Sequence, residues 1–365
     1  IITSFYSIKH NRMKNYILYI ILLVVGYSPL LAQEVSKQDS IYLQDLDEVF
    51  VKSVRVDSKA PITHSNVGKD DIRKRNLGQD IPILLNYLPS VVSSSDAGAG
   101  VGYTYLRVRG SDATRINVTI NGIPYNDPES QGTFWVNLGD FASSVESLQL
   151  QRGVGTSTNG SGAFGASLNI LTDGISKESG AEISNSFGSF GTQKNTIKFT
   201  TGLLNNHFEF SGRLSKIYSD GYVDRAFTNL KSYFLQGSYV DDNTVIKAIT
   251  FGGKEKTYQS WWGTPESRLS NDIGGMNQVI NNNGYTDFQA KNLLEAGRTF
   301  NYYTYDNETD NYQQDHYQTH INHSFSENTN LHLAFHYTFG RGYYEQYSCL
   351  LYTSDAADDT PCVDL

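Results

Sequence analysis

The sequence predicts an α+β domain followed by the start of an antiparallel, transmembrane β-barrel. Three observations carry that prediction. A secretory leader opens at Met13, residues from Val49 to about Thr172 mix helical spacing with short strands, and from about Gly180 the chain alternates apolar and polar side chains. The composition agrees. Among 365 residues there are 25 Tyr, 18 Phe and 32 Gly but only 8 Pro, a balance that suits a β-rich protein and fits a helical bundle badly. The net charge of −9 gives no basic surface for nucleic acid, and no nucleic-acid partner is expected.

Residues 1–12 precede the leader and read as upstream readthrough. Met13-Lys14-Asn15 and the run "YILYIILLVVGYSPLLAQ" form a signal peptide over 13–32, with cleavage expected after Ala32. The apolar run is short and interrupted by Gly26, Ser28 and Pro29, which argues against a transmembrane anchor. A linker over 33–52 leads to the α+β domain at 53–175. In that domain "GQDIPILLNYLPSV" carries apolar residues at helical spacing, with Pro89 as the stop. "YLRVRG", "RINVTINGIPYND" and "VESLQLQRG" read as strands, and Asn121-Gly122 as a hairpin turn.

The stretch "GVGTSTNGSGAFGASLNILT" contains Gly160-Ser161-Gly162-Ala163-Phe164-Gly165, a literal G-x-G-x-x-G. A dinucleotide loop needs a buried strand before it and a helix opening on its last glycine. Here polar turn formers precede it and strand-like residues follow, so the glycines serve close packing and not phosphate.

The barrel part is expected over 176–348. In "HFEFSGRLS", Phe208, Phe210, Gly212 and Leu214 share one face, opposite His207, Glu209, Ser211, Arg213 and Ser215. In "LHLAFHYTFG", Leu331, Leu333, Phe335, Tyr337 and Phe339 oppose His332, Ala334, His336, Thr338 and Gly340. Strands of about ten residues with aromatic ends suit an outer-membrane barrel. "LLNNH", "VDDNT" and "SENTN" are tight turns, alternating with long connections at 220–230 and 258–310, the asymmetry of such barrels. About seven strands are expected, against about twenty-two in a closed, plugged transporter. The last residues, 349–365, resemble a translated sequencing adapter, which would stop the biological chain near Ser348. That tail holds both cysteines, and without its four aspartates the net charge changes from −9 to −5.

Taken together, these segments resemble the TonB-dependent outer-membrane receptors over residues 45 to 348. "LRVRGSDATRINVTINGIPYND" is similar to the Arg-Gly strand and Asn-Gly hairpin of the family's plug domain. "VESLQLQRGVGTSTNGSGAFGASLNILT" is similar to the segment that closes the plug, with Ala166 and Ser167 in place of a common Gly pair. "NDPESQGTFWVNLGDFASS" resembles a Bacteroidetes-like subgroup. The resemblance implies active uptake across the outer membrane, no enzyme activity and no cofactor. It implies the energy-transducing protein TonB as partner, and as ligand an iron-siderophore, another metal chelate or a vitamin-sized compound. A glycan importer of the same family and a passive porin are the other readings. No sandwich or signalling module fits between Gln33 and Gln44.

"DLDEVFVKS" resembles the TonB box, with Asp45, Leu46, Asp47, Glu48, Val49, Phe50 and Val51 adding as an edge strand to the partner. The resemblance places Arg109 and Arg152 at plug–barrel contacts, facing barrel glutamates. Ser95, Asp96, Tyr103, Glu129, Gln131 and Phe134 on the plug, with Trp261 and Trp262 on the long loop, are the candidate ligand-binding residues. His316 and His320 share a strand face about 13 Å apart, too far for one metal ion.

Overall fold

The computed structural model describes residues 55–56, 60–155, 162–326, 328–348 and 363–364. The leader, the 45–51 segment and all but two residues of the 349–365 tail lie outside the described residues. The α+β part opens with β1 (His64–Gly68), helix α1 (Lys69–Arg75) and helix α2 (Ile81–Leu84). Helix α1 has Asp70 and Asp71 in its first turn and Arg73, Lys74 and Arg75 in its last, matching the helix dipole. The helix expected across 78–91 shrinks to the single turn of α2; Leu85 and Leu88 are buried beyond it through turns. Strands β2 (Val91–Ser95) and β3 (Thr104–Val108) pair as a separate hairpin.

Strands β4 (Ile116–Ile120), β5 (Ile123–Pro124), β6 (Val145–Arg152) and β7 (Ala166–Thr172) join β1 in a sheet of order β1-β6-β7-β4-β5. The β4–β7 pairing is parallel and the others antiparallel. Asn121 and Gly122 both take positive φ, 52° and 75°, so the hairpin turn read from the sequence is there. The Gly-rich stretch runs into β7 and not into a helix. At Gly165 an added Cβ would lie 2.4 Å from the Ser111 Cβ and 3.1 Å from the Arg115 carbonyl, which is the close approach that requires glycine.

The second sheet has seven strands in sequence order: β8 (Gly180–Phe187), β9 (Gln193–Thr200), β10 (Phe208–Ser219), β11 (Thr228–Asp241), β12 (Thr244–Tyr258), β13 (Thr309–Ser326) and β14 (Thr329–Tyr344). Each is antiparallel to the next. They lengthen from 8 residues in β8 to 18 in β13, beyond the expected ten. The two ends of the sheet differ: the long connections at 220–227 and 259–308 lie at one, and residues 201–207 and 242–243 turn tightly at the other. The 259–308 connection was expected as loop, yet it folds into helices α3 (Glu266–Leu269), α4 (Ile273–Asn283) and α5 (Asp287–Glu295) around Met276, Leu293 and Phe300. Its readable signal is the capping box of Thr286 and Gln289. A two-residue pairing of β15 (Tyr347–Ser348) with β16 (Val363–Asp364) completes the chain.

The two faces of the seven-stranded sheet are inverted relative to a soluble sandwich. Phe208, Phe210 and Leu214 point away from the chain's interior and are 46, 51 and 56% exposed. Glu209, Arg213 and Ser215, on the opposite face of the same strand, are buried, and Arg213 and Ser215 reach Asp140 of the α+β part. Phe335, Tyr337 and Phe339 on β14 are likewise exposed. The main apolar cluster ties the two parts together: Phe141 meets Phe251 at 5.0 Å between ring centroids and Phe234 at 6.4 Å. Burying such a ring contributes about 2–3 kcal/mol.

Candidate functional site

Two places bring polar side chains of both parts together. The first centres on Asp140, which has φ 50° in the segment between Trp135 and Ser144, and whose side chain is fully buried. Its Oδ1 lies 2.9 Å from Lys194 Nζ on β9, and its Oδ2 lies 3.5 Å from an Arg213 guanidinium nitrogen on β10. The Thr196 and Ser215 hydroxyls donate to Oδ2, each at 2.5 Å, while Ser143 Oγ and Asn76 Nδ2 donate to Oδ1. Arg213 also donates to the Asp140 carbonyl, and Lys194 to the Asn76 carbonyl and the Ser143 hydroxyl. Burial alone would push the Asp140 carboxyl up. Arg213 and Lys194, with the Ser143 and Ser215 hydroxyls, outweigh it and hold the group at about 2. Beside it, Asp173 accepts from Lys198 Nζ of β9 at 2.5 Å and from Lys69 at 2.8 Å. The carboxylates come from the α+β part and most of the cations from the sheet.

The second place is a cavity of about 500 Å3 at the long-connection end, between the 123–137 segment and strands β12, β13 and β14. Tyr103, Tyr125, Asp127 and Phe134 line one side; Glu255, Asp310, Tyr312, Gln314 and His316 line the other. Tyr103 donates its hydroxyl to Asp310, and Tyr125 donates to Gln314 Oε1 at 3.3 Å. Burial, then Glu255 and Asp310, push the Tyr103 hydroxyl up, so it stays a protonated donor. The His316 ring stacks on Phe251 at 4.7 Å and meets Tyr125 at 5.1 Å, and its two nitrogens contact Thr338 Oγ1 and Gln314 Oε1. Above it, a larger recess of about 760 Å3 is lined by Trp261, Trp262, Phe288, Tyr302, Tyr303, Tyr305 and Glu308.

Residues 56–167 match the family described as TonB-dependent Receptor Plug Domain. This chain carries a TonB-dependent receptor plug. Solved structures extend the likeness past the plug. The ferric-catecholate import receptor Fiu from E. coli K12, in its open form, matches with a TM-score of 0.58 at 15% identity over 79% of this chain. The alcaligin outer-membrane receptor FauA from Bordetella pertussis gives 0.54 at 14% identity over 78%. The siderophore receptor PirA from Acinetobacter baumannii gives 0.54 at 16% over 78%. At these identities the likeness shows the fold: a plug followed by part of an antiparallel barrel. The chain spans about 40% of each of those receptors. Comparison with curated proteins by sequence gave no match.

The plug presents some of the sequence-predicted residues at these places and not others. Tyr103 and Phe134 line the cavity, and Tyr103 packs edge-on against Trp261 at 5.7 Å. Trp261 and Trp262 line the upper recess, where Trp262 meets Tyr302 at 5.9 Å. Ser95 and Asp96 lie at the plug's β2 end, where Asp96 accepts from the Tyr105 hydroxyl at 2.9 Å; burial pushes this carboxyl up to about 6, and that bond opposes it. Glu129 and Gln131 are exposed on the 127–132 turn, and with Ser95 and Asp96 they stand outside the lining of both cavities. Arg152 is buried, and among the described residues it donates to the Pro89 carbonyl at 2.9 Å and to the Ser65 hydroxyl at 2.6 Å, both within the plug. Arg109 is exposed, with φ 53°. The described residues bring neither arginine to a barrel carboxylate. The ion cluster that the described residues do form across the two parts joins a plug aspartate, Asp140, to barrel Lys194 and Arg213. Arg213 was legible as a residue of the polar strand face, but nothing local singled out Asp140 as its partner. The segment from Asp45 to Val51 lies outside the described residues.

Proposed function

We propose that this chain is the plug and first seven strands of an outer-membrane receptor that takes up a scarce, bulky ligand with energy supplied through TonB. One observation carries the reading most directly. A polar inner wall closes on the plug, and an aromatic cavity opens between them at the end bearing the long connections. A passive pore has no use for a plug held by a buried ion cluster. The similar solved structures are ferric-catecholate, alcaligin and siderophore receptors, which supports a metal chelate as the ligand class here. Asp45 to Val51 serve as the recruiting strand for TonB, pairing by main-chain hydrogen bonds with Leu46, Val49 and Val51 setting the fit.

Growth of a deletion strain under iron limitation tests the ligand class, and Val49→Pro tests the coupling. Proline removes a strand amide, so the receptor is expected to bind ligand as before while uptake stops. Undiminished uptake in that variant would place the coupling segment elsewhere. A glycan ligand is the second reading, favoured by the amide side chains of Asn126, Asn137, Gln314 and Gln318 in the cavity wall. Normal growth without iron but a defect on one polysaccharide would select it.

A further inference from the structure

The cavity between plug and barrel has an unbalanced charge. Asp127, Glu255 and Asp310 all line it, and among the described residues its lining contains no Lys or Arg. Two of the three carboxylates are occupied. Asp310 accepts from Tyr103, and Asp127 accepts from the Glu129 and Ser130 amides at 3.1 and 2.7 Å. Glu255 differs: it is 3% exposed, and its Oε2 has no hydrogen-bond partner among the described residues. The charged groups that act on it, Asp310 and Asp80, carry its own sign. A buried carboxyl oxygen without a donor is costly, and native proteins supply one from protein, water or ligand. The wall also presents the rings of Tyr103, Tyr125, Phe134 and Tyr312, whose faces attract cations. The His316 nitrogens are both engaged by neutral neighbours, so that ring offers no ready donor to an anion.

We infer that this cavity selects a ligand presenting a cationic N–H group, seated between Glu255 and Asp310 among the tyrosine rings, and that it disfavours polyanionic chelates. The inference rests on the importer reading and adds to it the sign of the ligand's charge. Glu255 is then the specificity-determining residue, because a polyanion would meet its unpaired oxygen in a lining that holds no Lys or Arg to offset the repulsion.

The test is equilibrium binding to the intact receptor in lipid vesicles, with two ferric probes. One is a linear trihydroxamate complex bearing a free ammonium; the other is a tris-catecholate complex. The ammonium probe is expected to bind at least about tenfold tighter. Glu255→Gln, which keeps the shape and removes the acid that a cationic N–H would pair with, is expected to abolish that preference. Equal affinity, a preference for the tris-catecholate, or no binding of the ammonium probe overturns the inference. Because Glu255 is buried, Asp310→Asn provides a second variant that can still accept from Tyr103. It is expected to shrink the preference, and an unchanged preference in either correctly inserted variant also overturns the inference. The importer reading is judged separately. Energised uptake of the tris-catecholate probe, lost in Val49→Pro, would keep the importer and discard its charge selectivity.

Discussion

Asp140 shows what one side chain does between two parts of a molecule. Its carboxylate sits with Lys194 and Arg213 at 0–2% side-chain exposure, so all three groups have given up water. Such a cluster contributes little net stability over apolar packing, yet removing one member strands the others. Asp140→Asn is therefore expected to cost about 3–5 kcal/mol, read as a lower urea midpoint for the receptor. An unchanged midpoint would remove Asp140 from any holding role. The same group sets an acid limit. Its folded value of about 2 lies below the ordinary 3.8, so its contribution is fully present above about pH 4 and is lost as pH falls through about 2. The size of that contribution is on the order of 2 kcal/mol. Urea midpoints measured from pH 5 down to pH 2 are expected to fall more steeply in the native receptor than in Asp140→Asn.

A strand of this sheet is a sorting device with a period of two. On β10 the outward side chains Phe208, Phe210 and Leu214 are exposed, while Glu209, Arg213 and Ser215 are buried on the other face and Arg213 and Ser215 reach Asp140 of the plug. Leu214→Arg places a charge in the apolar band and is expected to cost about 2–4 kcal/mol near the bilayer midplane. Urea titration of folding into lipid vesicles measures that cost, and a loss below about 1 kcal/mol would mean that Leu214 does not face hydrocarbon. The alternation was plain in the sequence because every second residue reports the same environment. Helices α3 to α5 were not plain. Their segment is polar apart from scattered apolar residues, and its small core assembles only when Met276, Leu293 and Phe300 meet across three short helices.

At the scale of the whole molecule, the outermost strands of the seven-stranded sheet, β8 and β14, each pair with one neighbour in it. In hydrocarbon, an unpaired backbone group costs several kcal/mol. Residues 33–348 expressed alone are therefore expected not to insert stably, and their Phe- and Tyr-rich face is expected to drive aggregation in water. Gel mobility before and after heating checks this; a monomeric, heat-modifiable barrel from that segment would contradict it. Most of the main apolar cluster lies between Val67 and Ile170, which is why residues 45–172 are expected to fold as a soluble plug alone.

Much of the architecture was legible because its causes are local. The Asn121-Gly122 turn needs two positive φ angles, the alternation of β10 needs only an outward and an inward side, and the tight turns are short polar runs between apolar ones. The resemblance carried by the Arg-Gly and Gly-rich segments supplied the plug, and the matched residues 56–167 agree with it. What stayed hidden depends on which side chains meet across the two parts. Asp140 lies 54 residues before Lys194 in sequence, and Tyr103 lies 207 before Asp310. Burial strength, charge sign and an unpaired oxygen on Glu255 are properties of that meeting. The sequence by itself determined the period, the turns and the order of strands, since each is fixed by neighbours along the chain. Only the tertiary structure decided which carboxylate is neutralised and which waits for a partner, because a buried charge is defined by what surrounds it.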